Sequence, residues 1–392
     1  MEQTDIVIVG GGICGIAVAL ALQRKGIQSV VLEKYDSLGS TGTSIMIKPS
    51  GWYALEQLGV ADKLRRTAVL LDGCQKVFLG SGKRTQITFG DVEGGKIPEA
   101  RCLKRKDLIE AMADELLPNT VQFGRHVVSM KLDSYSGCPL LELSDGTQLK
   151  AKVVIGCDGL NSTIANYVGG RTINVSSVCS VRSFTSYEEG HHFANEFLVL
   201  SIPSPNVKFG RMPMTDNLVY WFMTRDCSSQ DPSIYNKPEL IKQSALQNVK
   251  SFPKEIQEMI KNSDTSSMHL GQLKYRPPWD LMWRNFHKGT VVLAGDAMHA
   301  MGPFLVQGGT ASLEDAVVLA RCLSGVLEEG GRVERALGLY VKERRMRLVK
   351  LSTHSYLLGK LSEASSSMIR FVVIRLLAIF FRKHSKYNCG KL

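Results

Sequence analysis

A chain of 392 residues, 44% hydrophobic and 22% charged, is past the size at which a single core keeps growing, so two packed domains are the default and a disordered chain is excluded. The formal charge is +11, from 48 basic and 37 acidic residues, but six of the basic residues and no acid lie in 370–392, and no RNA- or DNA-reading motif accompanies them, which argues against nucleic acid. The nine cysteines are odd in number and scattered without a CxxC pair, which suggests neither a disulfide framework nor a zinc site and points to a reducing, cytoplasmic compartment.

Residues 5–9 are an apolar run ending on glycine, the pattern of a buried parallel strand. That strand starts too early to leave room for a leader ahead of it. Gly10, Gly12 and Gly15 fit GxGxxG, residues 13–25 continue as an Ala/Leu-rich helix through Ile13 and Cys14, and 29–32 make a second strand ending at Glu33 and Lys34. This is a complete βαβ unit for a dinucleotide. The glycines allow a tight turn, close approach of a pyrophosphate and close helix–strand contact, and Glu33 lies where a carboxylate can accept the hydroxyls of a ribose.

Farther along, 44–47 read as a short strand, and 49–58 as a helix closed by Gly59. Alternation predicts a hairpin over 76–89, and 101–116 reads as an amphipathic helix with a basic start. Another hairpin is expected within 127–149. Residues 152–158 repeat the buried-strand pattern and deliver Asp158 and Gly159 at its C-terminal end, where α/β folds place ligands. From 177 to 270 the texture is that of a mostly antiparallel sheet with one helix at 237–261. A parallel strand returns at 290–294, followed by helices over 309–327 and 332–361.

The stretch 290–320 is the most specific. A buried strand ends on Gly295 and Asp296, a loop follows, and Gln307, Gly308 and Gly309 open a helix. Asp296 can bond a flexible polyol, and the helix N-terminus offers NH groups and a positive dipole end to an anion, both suited to a flavin.

With GxGxxG, RCLKRKDL, GCDGLNS, YRPPW and GDAMH in this order, the chain resembles the group A FAD-dependent aromatic hydroxylases. It is most similar to the plant monooxygenases akin to salicylate hydroxylase and zeaxanthin epoxidase. The resemblance implies an α/β fold: a Rossmann-like FAD-binding domain of the glutathione reductase type (1–72, 102–176 and 271–340), an inserted β-rich substrate domain (73–101 and 177–270) and a C-terminal helical segment (341–392). It implies FAD as cofactor, NADPH or NADH as co-substrate, and O2. Arg105 would reach the FAD from a helix start, Asp158 and Gly159 would serve both FAD and NAD(P)H, Asp296 would hold the ribityl and pyrophosphate region, and Gln307 to Gly309 would lie beside the ring. The implied reaction is hydroxylation of a small aromatic or other electron-rich apolar substrate through a flavin C4a-hydroperoxide, with no metal.

The chain departs from the family pattern at Ala300, Val306, Ala165 and Gly39. Val306 replaces a glycine, and a β-branched residue does not readily take φ > 0, so an altered loop is expected there. This keeps two alternatives open: a flavin oxidoreductase or epoxidase on the same fold, and a flavin-binding regulatory protein with reduced turnover. Met46, Lys48, Tyr220, Phe222 and Phe304 are the candidate substrate lining. Tyr220 and Trp221 must face opposite ways on a regular strand. The tail's apolar stretch at 371–381 is too short to span a bilayer. It packs on the body, makes a peripheral membrane contact or forms a dimer contact, and the chain is read as a monomer or homodimer.

Overall fold

The computed structural model describes residues 2–39, 43–88, 99–169, 173–203, 206–229, 231–363, 368, 372–375, 377 and 387–392. Its organising layer is a sheet whose parallel ladder runs, in space, Val291–Leu293, Gln148–Gly156, Glu2–Val9, Val30–Leu32 and Val121–Gln122. Ile6 to Val9 and Val153 to Ile155 are buried on both faces, as continuous apolar runs in a parallel sheet must be. Helix Ile13–Arg24 is buried along Ile13 to Leu22 and lies against helix Gly308–Glu328, so the Ala-rich sequence allows two helices to approach closely beside the sheet. Helix Pro49–Leu58 stops at Gly59 with φ 79°, where a left-handed residue closes it.

The second layer is a seven-stranded sheet. Its order is His269–Tyr275, Asn174–Ser186, Leu218–Asp226, Val207–Thr215, Glu196–Ile202, Gly73–Phe78 and Arg84–Thr88. All pairs are antiparallel except that joining Glu196–Ile202 to Gly73–Phe78. The expected boundaries at 176 and 270 fall inside the strands Asn174–Ser186 and His269–Tyr275, because this sheet's ladder continues past both. One face carries Trp221 into a core with Phe209, 5.7 Å away, and the indole NH donates to Ser263 Oγ at 2.8 Å. The opposite face looks toward the parallel sheet. Among the described residues, Cys179, Cys227 and Asp231 cluster within 4.8 Å, but Arg225 holds both Asp231 oxygens at 2.9 and 2.5 Å and accounts for that carboxylate.

Two expected helices differ. Residues 101–104 are a strand, Arg101–Lys104, which pairs with Ser44–Ile47 and Val69–Leu70. Burial of Cys102 and Leu103 in that ladder overrides the local helical pattern, and helix Arg105–Ala113 begins only afterwards. The helix expected over 237–261 is two, Pro238–Asn248 and Lys254–Lys261, because Pro253 cannot continue the first. The hairpin Gly73–Phe78/Arg84–Thr88 forms with the expected pairing, and residue 89 lies outside the described residues. Helix Val333–Glu363 closes the chain's body, and Tyr387 to Leu392 return onto it: Arg344 and Arg347 stack over the Tyr387 ring at 5.0 and 4.7 Å, and Cys389 is buried. Most of 371–381 lies outside the described residues. Among the described residues, no helix is long and apolar enough to cross a membrane.

Candidate active site

The first wall is the glycine turn, and its glycines fall into two kinds. A Cβ on Gly10, whose φ is 103°, would lie 2.7 Å from the Cys157 carbonyl, and one on Gly15 would lie 1.9 Å from the Gly10 carbonyl. Both are there to let backbone touch backbone. A Cβ on Gly12 would meet nothing nearer than Arg105 Nη2 at 3.5 Å. It opens onto empty space at the start of a twelve-residue helix. Glu33 lies beneath the turn, accepting from Gly11 N at 2.6 Å and Tyr35 N at 3.0 Å. Lys34 stacks on Tyr35. Arg105, at the first position of its helix, leans toward Gly12. Burial pushes its guanidinium below the ordinary value, Asp296 pulls it back, Arg182 lowers it again and Glu33 raises it, so both distant carboxylates act on one cation.

The second wall starts where strand Val291–Leu293 ends. Gly295 has φ 60°, and a Cβ there would lie 2.7 Å from Cys14 Cβ, which is how this loop and the first glycine turn interlock. Asp296 follows with its carboxylate exposed on the cavity. The loop is clamped from behind by groups with no solvent exposure: Asp315 accepts from Gly295 N at 2.9 Å, His299 Nε2 lies 2.7 Å from the same carboxylate, and Arg344 Nε donates to its other oxygen at 2.7 Å. Burial alone would raise Asp315, but His299 and Arg344 outweigh it and hold the carboxylate below its usual range. His299 is therefore a positioning group. Arg276, of the YRPPW motif, adds a clamp by donating to the Leu160 carbonyl at 2.7 Å.

At the mouth of helix Gly308–Glu328, a Cβ on Gly309 would lie 2.3 Å from Ile45 Cδ1, whereas one on Gly308 would meet only Asp296 Oδ1 at 3.9 Å. Gly308, like Gly12, faces open space. Gln307 lines the cavity, and its buried Oε1 has no hydrogen-bond partner. Val306 overturns the expectation that it would refuse φ > 0. It sits at φ 53°, ψ 46°, packed against the cluster that includes Met46, Met212 and Tyr220. The contacts hold a conformation that costs an L-residue about 1–2 kcal/mol. Val306→Gly is therefore expected to be more stable than Val306→Ala by about that amount, measured by urea unfolding. The reverse ranking would mean that the loop is not left-handed in solution.

Between the walls is a cavity of about 2390 Å³, well above the roughly 300–1,000 Å³ of a pocket for one small ligand. The seven-stranded sheet closes its far side with residues in register. One rung is His269, Arg182, Phe222, Gly210, Val199 and Lys76, of which all but Gly210 line the cavity. Neighbouring rungs place Tyr220, Met212, Phe197 and Cys74 on one side and Ser180, Thr224, Lys208 and Ser201 on the other. Tyr220, not Trp221, faces the cavity. Met46, Lys48, Tyr220, Phe222 and Phe304 all line it, as do Gly12, Ile13, Cys14, Arg105, Gly159, Asp296, Gln307, Gly308 and Gly309. Gly10, Gly15, Glu33, Lys34, Asp158 and Gly295 do not; all of these but the exposed Lys34 shape the loops behind it. Asp158 is spent on helix Thr163–Gly169, accepting from Ser162 Oγ at 2.5 Å and Ile164 N at 3.3 Å, and burial raises its pKa. Sequence reading did not single out Arg182, Asp315, Arg344 or the role of Arg276; for Asp315 the one available signal is the acidic pair Glu314 and Asp315 ahead of the apolar run Ala316 to Ala320.

Comparison with known proteins bears on this geometry. Residues 3–355 match the family model described as FAD binding domain. Monooxygenase 1 of Arabidopsis thaliana is 42% identical, with 100% of both chains covered. 3-Hydroxybenzoate 6-hydroxylase 1 of Aquipseudomonas alcaligenes is 26% identical over 90% of this chain and 88% of that one. The crystal structure of Klebsiella pneumoniae HpxO complexed with FAD and uric acid has a TM-score of 0.80 at 21% identity, covering 96% of this chain and 92% of that chain.

Proposed function

Because the chain belongs to the FAD binding domain family and is a monooxygenase-type oxidoreductase with FAD as its cofactor, we propose that it uses NAD(P)H and O2 to hydroxylate a small aromatic or other electron-rich substrate. The observation that carries this reading is the single cavity onto which Gly12, Arg105, Asp296, Gln307, Gly308 and the aromatic sheet wall all open. Its volume leaves room for a cofactor and a second molecule in one enclosure.

The residues present fit the cofactor. Gly12 and Gly308 leave their Cβ space empty, Gln307 Oε1 is buried and unsatisfied, and a carboxylate and a guanidinium stand on the two walls. Bound FAD would supply the hydride and oxygen chemistry. The chain's own work is positioning, charge and exclusion of water. The N-terminus of helix Ile13–Arg24 and Arg105 would neutralise the pyrophosphate, Glu33 would steady the adenosine side by holding the turn, and Asp296 would bond the polyol. NH groups of Gly308 and Gly309, at a positive helix end, would stabilise negative charge near the ring. Tyr220, Phe222, Met46 and Phe304 would seat an apolar ring and keep water out. The left-handed turn at Val306 supports a working site over a decayed one, and the division into a cofactor part and a sheet-walled substrate part belongs to the same proposal.

The test is a screen of aromatic metabolites for stimulated NAD(P)H oxidation by the FAD-bound protein, followed by mass spectrometry of products made under 18O2. A product carrying one 18O atom is expected. Oxidation that no aromatic stimulates, with all oxygen recovered as peroxide, would overturn the reading in favour of a flavin-binding role without hydroxylation.

A further inference from the structure

The cavity extends past the place where a cofactor ring and a small substrate would meet. A cofactor at the top of the range for single-ligand pockets and a small ring at its bottom leave roughly half of about 2390 Å³ unfilled. This surplus has a wall of its own. Arg347, Leu351, His354, Leu358 and Leu361 of helix Val333–Glu363 all line the cavity, and a spacing of three or four residues puts them on one face of that helix. From Leu351 to Leu361 the face runs ~15 Å. Among the described residues of that run which line the cavity, only His354 is polar.

The direction of the helix carries this face to the ring end of the cavity. Arg344 Nη2 donates to the Ala311 carbonyl at 3.2 Å, Arg347 Nη2 reaches Glu314 at 3.0 Å, and Ser355 Oγ donates to the Gly302 carbonyl at 2.6 Å. Rising numbers on this helix therefore meet falling numbers on helix Gly308–Glu328 and the loop before it. The apolar half of the face passes the turn that holds Gln307 and Gly308 and continues beyond it. Phe304 makes the junction, since a Cβ on Gly359 would lie 2.7 Å from its ring. Leu305 and, from the tail, Ile374 line the same cavity. At the other end, Arg347 is engaged by Glu314 and by the Tyr387 ring.

Leucines facing open volume leave apolar surface in water, and covering it with hydrocarbon is favourable in proportion to the area covered. With His354 as its one polar side chain, the run from Leu351 to Leu361 cannot match a sugar or a peptide, each unit of which brings donors and acceptors that must be paired.

We propose that this extension binds the hydrocarbon chain of an aromatic substrate: the ring sits against Tyr220 and Phe222, and a long alkyl-type substituent lies along Leu358 and Leu361. This rests on the hydroxylase reading and names a substrate class for it, a ring that carries a chain.

The test uses the FAD-bound full chain and two homologous series of probes, 4-alkylphenols and N-alkylbenzamides, each from ethyl to octyl. Binding is read from perturbation of the flavin absorbance spectrum. In at least one series affinity is expected to rise about two- to fourfold per added CH2, and by at least about 50-fold from ethyl to octyl. Leu358→Gln and Leu361→Gln are each expected to weaken octyl binding at least about fivefold, while FAD and the ethyl probe, too short to reach them, bind as before. Leu361→Trp fills the space and keeps the helix apolar; it is expected to exclude the octyl probe selectively, and it decides the matter if a glutamine variant does not retain FAD. The proposal is overturned if affinity is flat or absent along both series, or if the gain with chain length persists in Leu361→Trp and the glutamine variants alike. Ethyl probes hydroxylated with the same KM as their octyl homologues would overturn it while leaving the hydroxylase reading intact. Chain-length-dependent binding with no 18O in any product would support the chain site and count against the hydroxylase reading alone.

Discussion

Gly12→Val leaves the chain folded and weakens FAD binding at least ~100-fold, about 2.7 kcal/mol. The expectation comes from where the new side chain would go. Its Cβ finds only Arg105 Nη2 at 3.5 Å and otherwise projects into the cavity, so the folded backbone has nothing to move away from. A cofactor crossing that space has no such freedom, because the turn NH groups that would hold its phosphates lie behind the new methyls. Gly15→Ala is the contrast. Its Cβ would sit 1.9 Å from the Gly10 carbonyl, so backbone must shift, and stability falls by about 1–3 kcal/mol or more. Fluorescence titration with FAD and thermal melts of the apoproteins separate the two. If Gly12→Val melted as early as Gly15→Ala, Gly12 would be a packing glycine and the cofactor reading of this turn would fail.

Asp315→Ala is expected to cost about 3–5 kcal/mol, at the lower end because Glu314, 2.8 Å from Arg344, still pairs with it. The carboxylate has no solvent exposure and collects three donors, from Gly295, His299 and Arg344. Removing it leaves a buried guanidinium half-compensated and an NH of the Asp296 loop unsatisfied. Urea unfolding measures the loss, and FAD affinity should fall with it, since the same carboxylate holds the Gly295–Asp296 corner. A pH dependence follows from the depressed pKa of Asp315. Its stabilisation is complete above the unfolded carboxylate's pKa and is lost as pH falls through the lower, folded value. Asp315→Asn should therefore flatten the acid limb of the stability profile. An unchanged acid limb would mean that this carboxylate titrates normally in the folded chain.

Much of the α/β framework was legible because its signals are local. Apolar runs ending on glycine mark parallel strands, and the residues of GxGxxG and GDAMH carry their turn chemistry with them. The strand Arg101–Lys104 was not legible, since four residues with buried Cys102 and Leu103 look helical until the neighbouring strands supply a ladder. Val306 differs for a related reason: the propensity against φ > 0 is real, but packing of this residue against the apolar cluster that includes Met46 and Tyr220 decides the outcome. Arg182 became visible only through register. Its placement between Phe222 and His269 depends on which residues of three strands stand opposite one another. The Asp315 cluster joins two helices and a loop, which no periodicity encodes. Tyr220 against Trp221 shows the limit well, because alternation assigns them to opposite faces but only the helices packed under Trp221 say which face is core.

The most direct test of the central claim, that Gly12 and Asp296 open on one FAD-holding cavity, is the stoichiometry of flavin released by heat from the purified protein and identified by chromatography. About one FAD per chain is expected, either as isolated or after incubation with FAD, and the Gly12→Val protein should carry almost none. A folded wild-type chain that stays colourless in excess FAD, or a Gly12→Val chain that retains a full equivalent, would contradict it.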